Sequence, residues 1–217
     1  MPITGRAMTA SIGNRHFVLR RLHSLLGLLP VGAFLIFHLW ENSQSRFGAE
    51  HYNHEVVEAL QGLNYLVPIE LLVIALPLLL HAVIGLAITR EMCAEPIRYR
   101  YARNWAYWLQ RLSGVAILLF LLLHVGMTRI QGLWTSAIRD DLYGHMQTLL
   151  SNPGFFALYL VGLIASVFHL ANGLSTMAIV WGLTTSAAAQ RRFAWACAGF
   201  GVLLAALGVH GMLGFLS

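Results

Sequence analysis

The sequence predicts an all-α membrane protein, a single bundle of five transmembrane helices over residues 1–217 with a cytoplasmic N-terminus. Three observations carry that class. The chain is 58% hydrophobic and only 11% charged, with a mean hydropathy of +0.66, whereas soluble domains are about a quarter charged. Five apolar stretches are long enough to cross about 30 Å of hydrocarbon, which takes roughly 20 helical residues. All 14 basic residues are arginines, and they gather at particular ends of those stretches. The spans leave no room for a sizeable soluble domain.

The first span is placed at about 20–40. The polar, basic stretch before it, Met1 to Arg21, has no apolar h-region and does not read as a signal peptide. The second span, 64–89, and the fourth, 154–183, are longer than a crossing requires and are expected to tilt or protrude. The third, 105–128, and the fifth, 194–216, are the cleanest. Pro30 and Pro77 lie mid-span and predict kinks that neighbouring helices must accommodate.

Orientation follows from the arginines. Arg6, Arg15, Arg20 and Arg21 precede or open the first span. Arg90, Arg98, Arg100, Arg103 and Arg111 surround the link between the second and third, and Arg191 and Arg192 are placed in the turn before the fifth. The opposite side holds Arg46, Arg129 and Arg139 among Glu41, Glu50, Glu55, Glu58, Asp140 and Asp141. The positive-inside rule puts the richer side in the cytoplasm. Basic residues at span ends answer to a membrane surface and not to nucleic acid.

Several chemistries are excluded. Cys93 and Cys197 are too few and too far apart for an iron–sulfur cluster or a zinc site. There is no CxxCH, so any haem is held non-covalently. No glycine-rich nucleotide fingerprint occurs, so flavin or nicotinamide belongs on another chain.

Four spans each hold one histidine within apolar surroundings: "FLIFHLWENS", "LPLLLHAVIG", "LLFLLLHVGM" and "ASVFHLANG". Tracing the chain in and out of the membrane sorts them by depth. His38 and His124 fall near the outer face, and His81 and His169 form a deeper, inner layer. At about 1.5 Å per residue, the eleven residues from Glu70 to His81 set the inner layer roughly 16 Å below the outer end of the second span. A single such histidine is usually an interhelical hydrogen-bonder. Intramembrane ionisable groups are costly and tend to mark a functional path, and four in two layers point further. Neutral imidazole is the commonest metal ligand. Two from different helices at one level can clamp a porphyrin and fill both axial positions of its iron, which favours electron transfer over oxygen chemistry.

Small residues at helical spacing, Gly85 near His81 and Ala165 and Gly173 near His169, are expected to make room for such a macrocycle, although they also serve plain helix packing. His23 lies at the inner end of the first span and reads as an interfacial polar group, a candidate donor to a haem propionate. Arg21 and Arg111 are similar candidates, because guanidinium pairs well with carboxylates; surface anchoring explains each equally well. His51, His54 and His145 fall in the outer segments as solvated polar residues, and His16 and His210 receive no role.

Together, "RRLHSLLGLLPVGAFLIFHL", "LPLLLHAVIG", "RNWAYWLQRLSG", "LLLHVGMTRI" and "FHLANGLS…WG" resemble the five-helix, two-haem cytochrome b (b558-type) membrane anchor of succinate dehydrogenase, whose architecture the quinol:fumarate reductase anchors share. The similarity runs from about Arg20 to Thr185, with the outer loops and fifth span matching weakly. The resemblance implies that His81 and His169 ligate an inner, higher-potential haem b, and His38 and His124 an outer, lower-potential one. It implies a flavoprotein (FAD) subunit and an iron–sulfur subunit docked on the cytoplasmic face of a bacterial inner membrane, with menaquinone or another quinone as electron acceptor. Glu70 matches an acidic position of the family and is the candidate for proton handling near that quinone, although the dipole at a helix N-terminus also favours an acid there. Physiological direction stays open between succinate oxidation and fumarate reduction. A haem-free anchor and a histidine proton relay are the remaining alternatives, the relay disfavoured by the scarcity of intramembrane carboxylates.

Overall fold

A computed structural model of the chain describes residues 17–90 and 101–217. The regular structure among the described residues is helical throughout. Five helices are long and apolar enough to cross a membrane: α1 (Phe17–Phe47), α3 (Leu66–Arg90), α4 (Ala102–Ile130), α7 (Pro153–Val180) and α8 (Ala187–Gly214). Three shorter helices lie between them: α2 over residues 49–61, α5 (Ser136–Asp140) and α6 (Leu142–Ser151). Arg6, Arg15, Arg98, Arg100, Cys93 and His16 lie outside the described residues.

Both mid-span prolines perturb their helices without breaking them. Proline has no N–H to give to the preceding turn, and around Pro30 the helix widens into a π-helical stretch, Gly27–Gly32. In α3 the wider stretch is Glu70–Ala75, two residues ahead of Pro77. The C-terminal end of α1 tightens over Gln44–Phe47 and stops at Gly48, whose φ of 91° is open to glycine at little cost. Asn152 caps α7 by accepting from the backbone N–H groups of Gly154 and Phe155, with Pro153 in the first turn where no N–H is needed.

Two boundaries differ from the sequence expectation in a way that matters. α8 starts at Ala187 and not near 194, because Ser186 Oγ accepts from Ala189 N at 3.1 Å and an alanine run follows. Arg191 and Arg192 therefore sit in the opening turns of a helix, not in a loop; long arginine side chains can reach from there to the membrane surface. At the other end of the bundle, α1 continues past Glu41. This acid was expected to mark the outside but lies buried, at 7% exposure.

α7 and α8 form the central pair. Their contact is built from small residues that let the backbones approach, as in other membrane bundles: a Cβ on Gly201 would stand 3.0 Å from Ala171 Cβ, and one on Gly208 would strike Leu163. α1 packs on α8 so closely that a Cβ on Gly211 would stand 2.8 Å from the Asn42 carbonyl oxygen. α4 lies against α7, where a Cβ on Gly162 would stand 2.5 Å from Phe120 Cδ2. α3 is peripheral, with no buried residue. Arginine-bearing helix ends collect at one end of the bundle. There Arg103 Nη2 donates to Gln190 Oε1 at 3.0 Å, and Trp181 Nε1 to Ser24 Oγ at 3.0 Å. The opposite end is sealed by Tyr52, Tyr143 and Phe215, with Tyr143 Oη donating to Gly214 O at 2.9 Å.

Candidate functional site

The helix arrangement brings the four intramembrane histidines together in two pairs. His38 on α1 meets His124 on α4 with ring centroids 5.8 Å apart and planes at 70°. His81 on α3 meets His169 on α7 at 6.1 Å and 84°. The pairs are those that depth alone suggested.

Each layer has its own packing. In the outer one, Phe34 stacks on His38 at 5.3 Å and Phe120 on His124 at 5.5 Å. Asn42 Nδ2 donates to the His38 carbonyl at 2.7 Å and stands 3.3 Å from the ring Nε2. In the inner layer the facing helix gives way to each ring. A Cβ on Gly27 of α1 would stand 2.6 Å from His81 Nδ1, and one on Gly114 of α4 would stand 3.1 Å from His169 Cε1. The glycines chosen from sequence face elsewhere: a Cβ on Gly85 would stand 2.8 Å from His23 Cε1, and one on Gly173 would stand 3.3 Å from Gln110 Nε2. A ring reaching across a helix–helix gap is crowded by the opposite backbone, so the space must be made there and not on the histidine's own helix.

His23 also departs from expectation. It is not an isolated interfacial group but stacks on His81, centroids 3.9 Å apart and planes within 12°. The two exchange bonds, His23 Nδ1 with His81 O at 3.0 Å and His81 Nδ1 with His23 O at 2.8 Å. Three rings thus share the inner layer.

The hydrogen bonds distinguish the two ring nitrogens. His81 Nδ1 meets the His23 carbonyl, His169 Nδ1 meets Ser113 Oγ at 3.1 Å, and His124 Nδ1 meets Tyr159 Oη at 3.3 Å. A carbonyl accepts only, so His81 Nδ1 carries the proton, which leaves the Nε2 lone pair open. Metal-bound histidines characteristically donate their other N–H in this way. The spacing also fits. Two metal–imidazole bonds of about 2 Å each, with half of each ring behind them, set centroids roughly 6 Å apart. Each pair therefore presents two imidazoles from different helices at a spacing that could admit one metal ion between them.

Near the arginine-rich end, the Arg21 guanidinium lies 4.3 Å from the Phe17 ring centroid and 5.0 Å from that of Trp181, and its buried Nε has no hydrogen-bond partner among the described residues. A carboxylate would satisfy that atom. Arg111 lies over the Tyr107 ring at 3.3 Å. At the opposite end, Glu70 on α3 and Arg129 on α4 form a two-pronged ion pair at 2.7 and 2.8 Å. Sequence reasoning missed Gly27, Gly114, Ser113 and Tyr159. Only Ser113 carried a hint, as a polar residue two positions after Arg111 that continues into an apolar run.

Residues 95–214 match the family of succinate dehydrogenase/fumarate reductase transmembrane subunits. The chain is similar to the succinate dehydrogenase cytochrome b558 subunit of Bacillus subtilis (strain 168), 40% identical over 179 residues that make up 82% of this chain and 87% of that one.

Proposed function

Because the chain belongs to the succinate dehydrogenase/fumarate reductase transmembrane subunit family, we propose that it anchors the complex in the bacterial cytoplasmic membrane and passes electrons from an iron–sulfur subunit to a quinone, with menaquinone the expected acceptor. His81 and His169 hold an inner haem b, and His38 and His124 an outer one. When bound, the haems supply one-electron relays at two depths. The observation that carries this reading is the pairing of four imidazoles from four helices, 5.8 and 6.1 Å apart, with His81 Nε2 left as a free donor.

The protein's own groups do the rest. Residues at the arginine-rich end face the cytoplasm and receive the flavoprotein and iron–sulfur subunits, and Arg21, with His23 and Arg111, offers donors to the propionates of the inner haem. The Phe34 and Phe120 rings cover the outer histidines and keep water from them. An electron carried outward moves from the negative to the positive side of the membrane and gains about 2.3 kcal/mol per 100 mV for a full crossing. That gain assists reduction of a low-potential quinone near the outer layer. Glu70 supplies or accepts the accompanying proton there. Its carboxylate is held by Arg129, so proton exchange requires that pair to open.

Visible difference spectra and the haem-to-protein ratio of the purified complex test the assignment. Two b-type haems per chain are expected, with one lost in His81→Ala. A colourless intact complex refutes it.

A further inference from the structure

Beyond its histidines, the inner layer contains a polar chain that crosses from α4 to α7. Asn172 Nδ2 donates to Gln110 Oε1 at 2.7 Å, Gln110 Nε2 donates to the His169 carbonyl at 3.0 Å, and Ser113 Oγ meets His169 Nδ1 at 3.1 Å. Ser113 is buried, at 7% exposure. Its one hydroxyl proton is already given to the Gln110 carbonyl, 3.0 Å away in the preceding turn of α4.

We propose that Ser113 is the positioning residue of the inner haem: by accepting from His169 Nδ1–H it fixes the tautomer and rotation of that ring and tunes its strength as an iron ligand. This deepens the haem-binding reading and rests on it. A serine hydroxyl has one proton and two lone pairs. With the proton committed to Gln110 O, the oxygen can only accept from the histidine. His169 must then carry its proton on Nδ1, and Nε2 is left as donor to iron. Gly114, the next residue, removes the Cβ that would otherwise push on His169 Cε1 at 3.1 Å. Adjacent residues of one α4 turn thus orient the ring, one by a hydrogen bond and one by leaving space. An acceptor on Nδ1–H raises the basicity of the imidazole, which favours ferric over ferrous iron and holds the midpoint potential down.

The test is a redox titration of both haems in the whole complex, with electron paramagnetic resonance of the ferric inner haem. Ser113→Ala is expected to shift the inner haem about threefold to tenfold toward the ferrous form at fixed poise, a tenfold change being about 59 mV for one electron. Its ferric g-values should move as well, while the outer haem keeps both properties. Ser113→Thr retains the hydroxyl and should restore wild-type values. Ser166→Ala removes a hydroxyl on α7 that, among the described residues, bonds the Gly162 carbonyl of its own helix, and should change neither haem. Should Ser113→Ala fail to assemble, Ser113→Thr decides: wild-type potentials support the proposal and altered ones overturn it. Two haems with an unmoved inner potential and spectrum in Ser113→Ala would sink this role and leave the haem reading intact. A wild-type complex without haem would sink both.

Discussion

Gly27→Ala is the sharpest probe of the inner layer. The added Cβ would lie 2.6 Å from His81 Nδ1 and 3.2 Å from Nε2, while ordinary contact begins at 3.4 Å, a shortfall of 0.8 Å at the nearer nitrogen. His81 cannot retreat freely, because its Nδ1 is bonded to the His23 carbonyl and the His23 ring is stacked on it. Overpacking of this kind costs about 1–3 kcal/mol, and loosening the hydrogen bond about 1 kcal/mol more. Alanine returns about 1 kcal/mol through helix propensity. The net, roughly 1–3 kcal/mol, corresponds to about 5- to 140-fold weaker retention of the inner haem. Haem-to-protein ratio and resolved difference spectra should show the inner band selectively depleted and the outer band whole. Gly126→Ala is the control, since nothing among the described residues stands within 4 Å of its added Cβ. Two haems with wild-type midpoints in Gly27→Ala would refute the claim that this glycine makes room for His81.

Gly208→Ala should lower the thermal stability of the bundle, because its Cβ would press on Leu163 Cδ2 at 2.8 Å; combining it with Leu163→Ala should recover part of the loss, so a strictly additive double mutant in a melting assay argues against that contact. Glu70→Gln breaks the ion pair with Arg129 at an exposed end of the bundle, where such pairs contribute up to about 1 kcal/mol. It should leave both haem spectra unchanged and slow quinone turnover with an altered pH profile, and normal turnover with the wild-type profile removes Glu70 from proton handling. On α2, the hydrogen bond from His54 to Glu55 at 3.1 Å, helped by the charges of Glu58, Glu55 and Glu50, raises the imidazole above its ordinary value of 6.5. A group raised by folding supports the fold below its unfolded value, and that support is lost as pH rises through the folded one. Titration by nuclear magnetic resonance should find His54 above 6.5 and Glu55→Gln lowering it.

The span pattern was legible because hydrocarbon punishes polarity residue by residue, so length and composition suffice to mark a crossing. Pairing by depth was legible for the same reason: 1.5 Å of rise per residue turns sequence position into height. What height cannot give is azimuth. Gly27 and Gly114 matter only because α1 and α4 turn those faces toward rings on α3 and α7, and no spacing rule within one helix reveals it. The stacking of His23 on His81 was hidden in the same way. Glu41 misled for a different reason. A carboxylate after an apolar run resembles a span end, yet α1 continues to Phe47 because the outer cap formed by Tyr52, Tyr143 and Phe215 extends the buried region beyond it.

The polar ties also explain how the peripheral helix is held. α3 has no buried residue and lies at the edge of the bundle, so hydrophobic burial within this chain contributes little to its placement. Its specific ties are the reciprocal His23–His81 bonds, the fit of Gly27 and Gly85 against those rings, and the Glu70–Arg129 pair. Helix association in lipid lacks a hydrophobic drive and relies on packing and interhelical hydrogen bonds, so a few such contacts can decide where α3 sits. The histidine proposed as an inner haem ligand is therefore also the residue that docks its own helix, with α1 serving as the partner. Similarly, His169 and His124 tie α4 to α7 through Ser113 and Tyr159. Three of the four histidines proposed as iron ligands thus also align the helices, so on that proposal assembly of the bundle and loading of the haems are one coupled process.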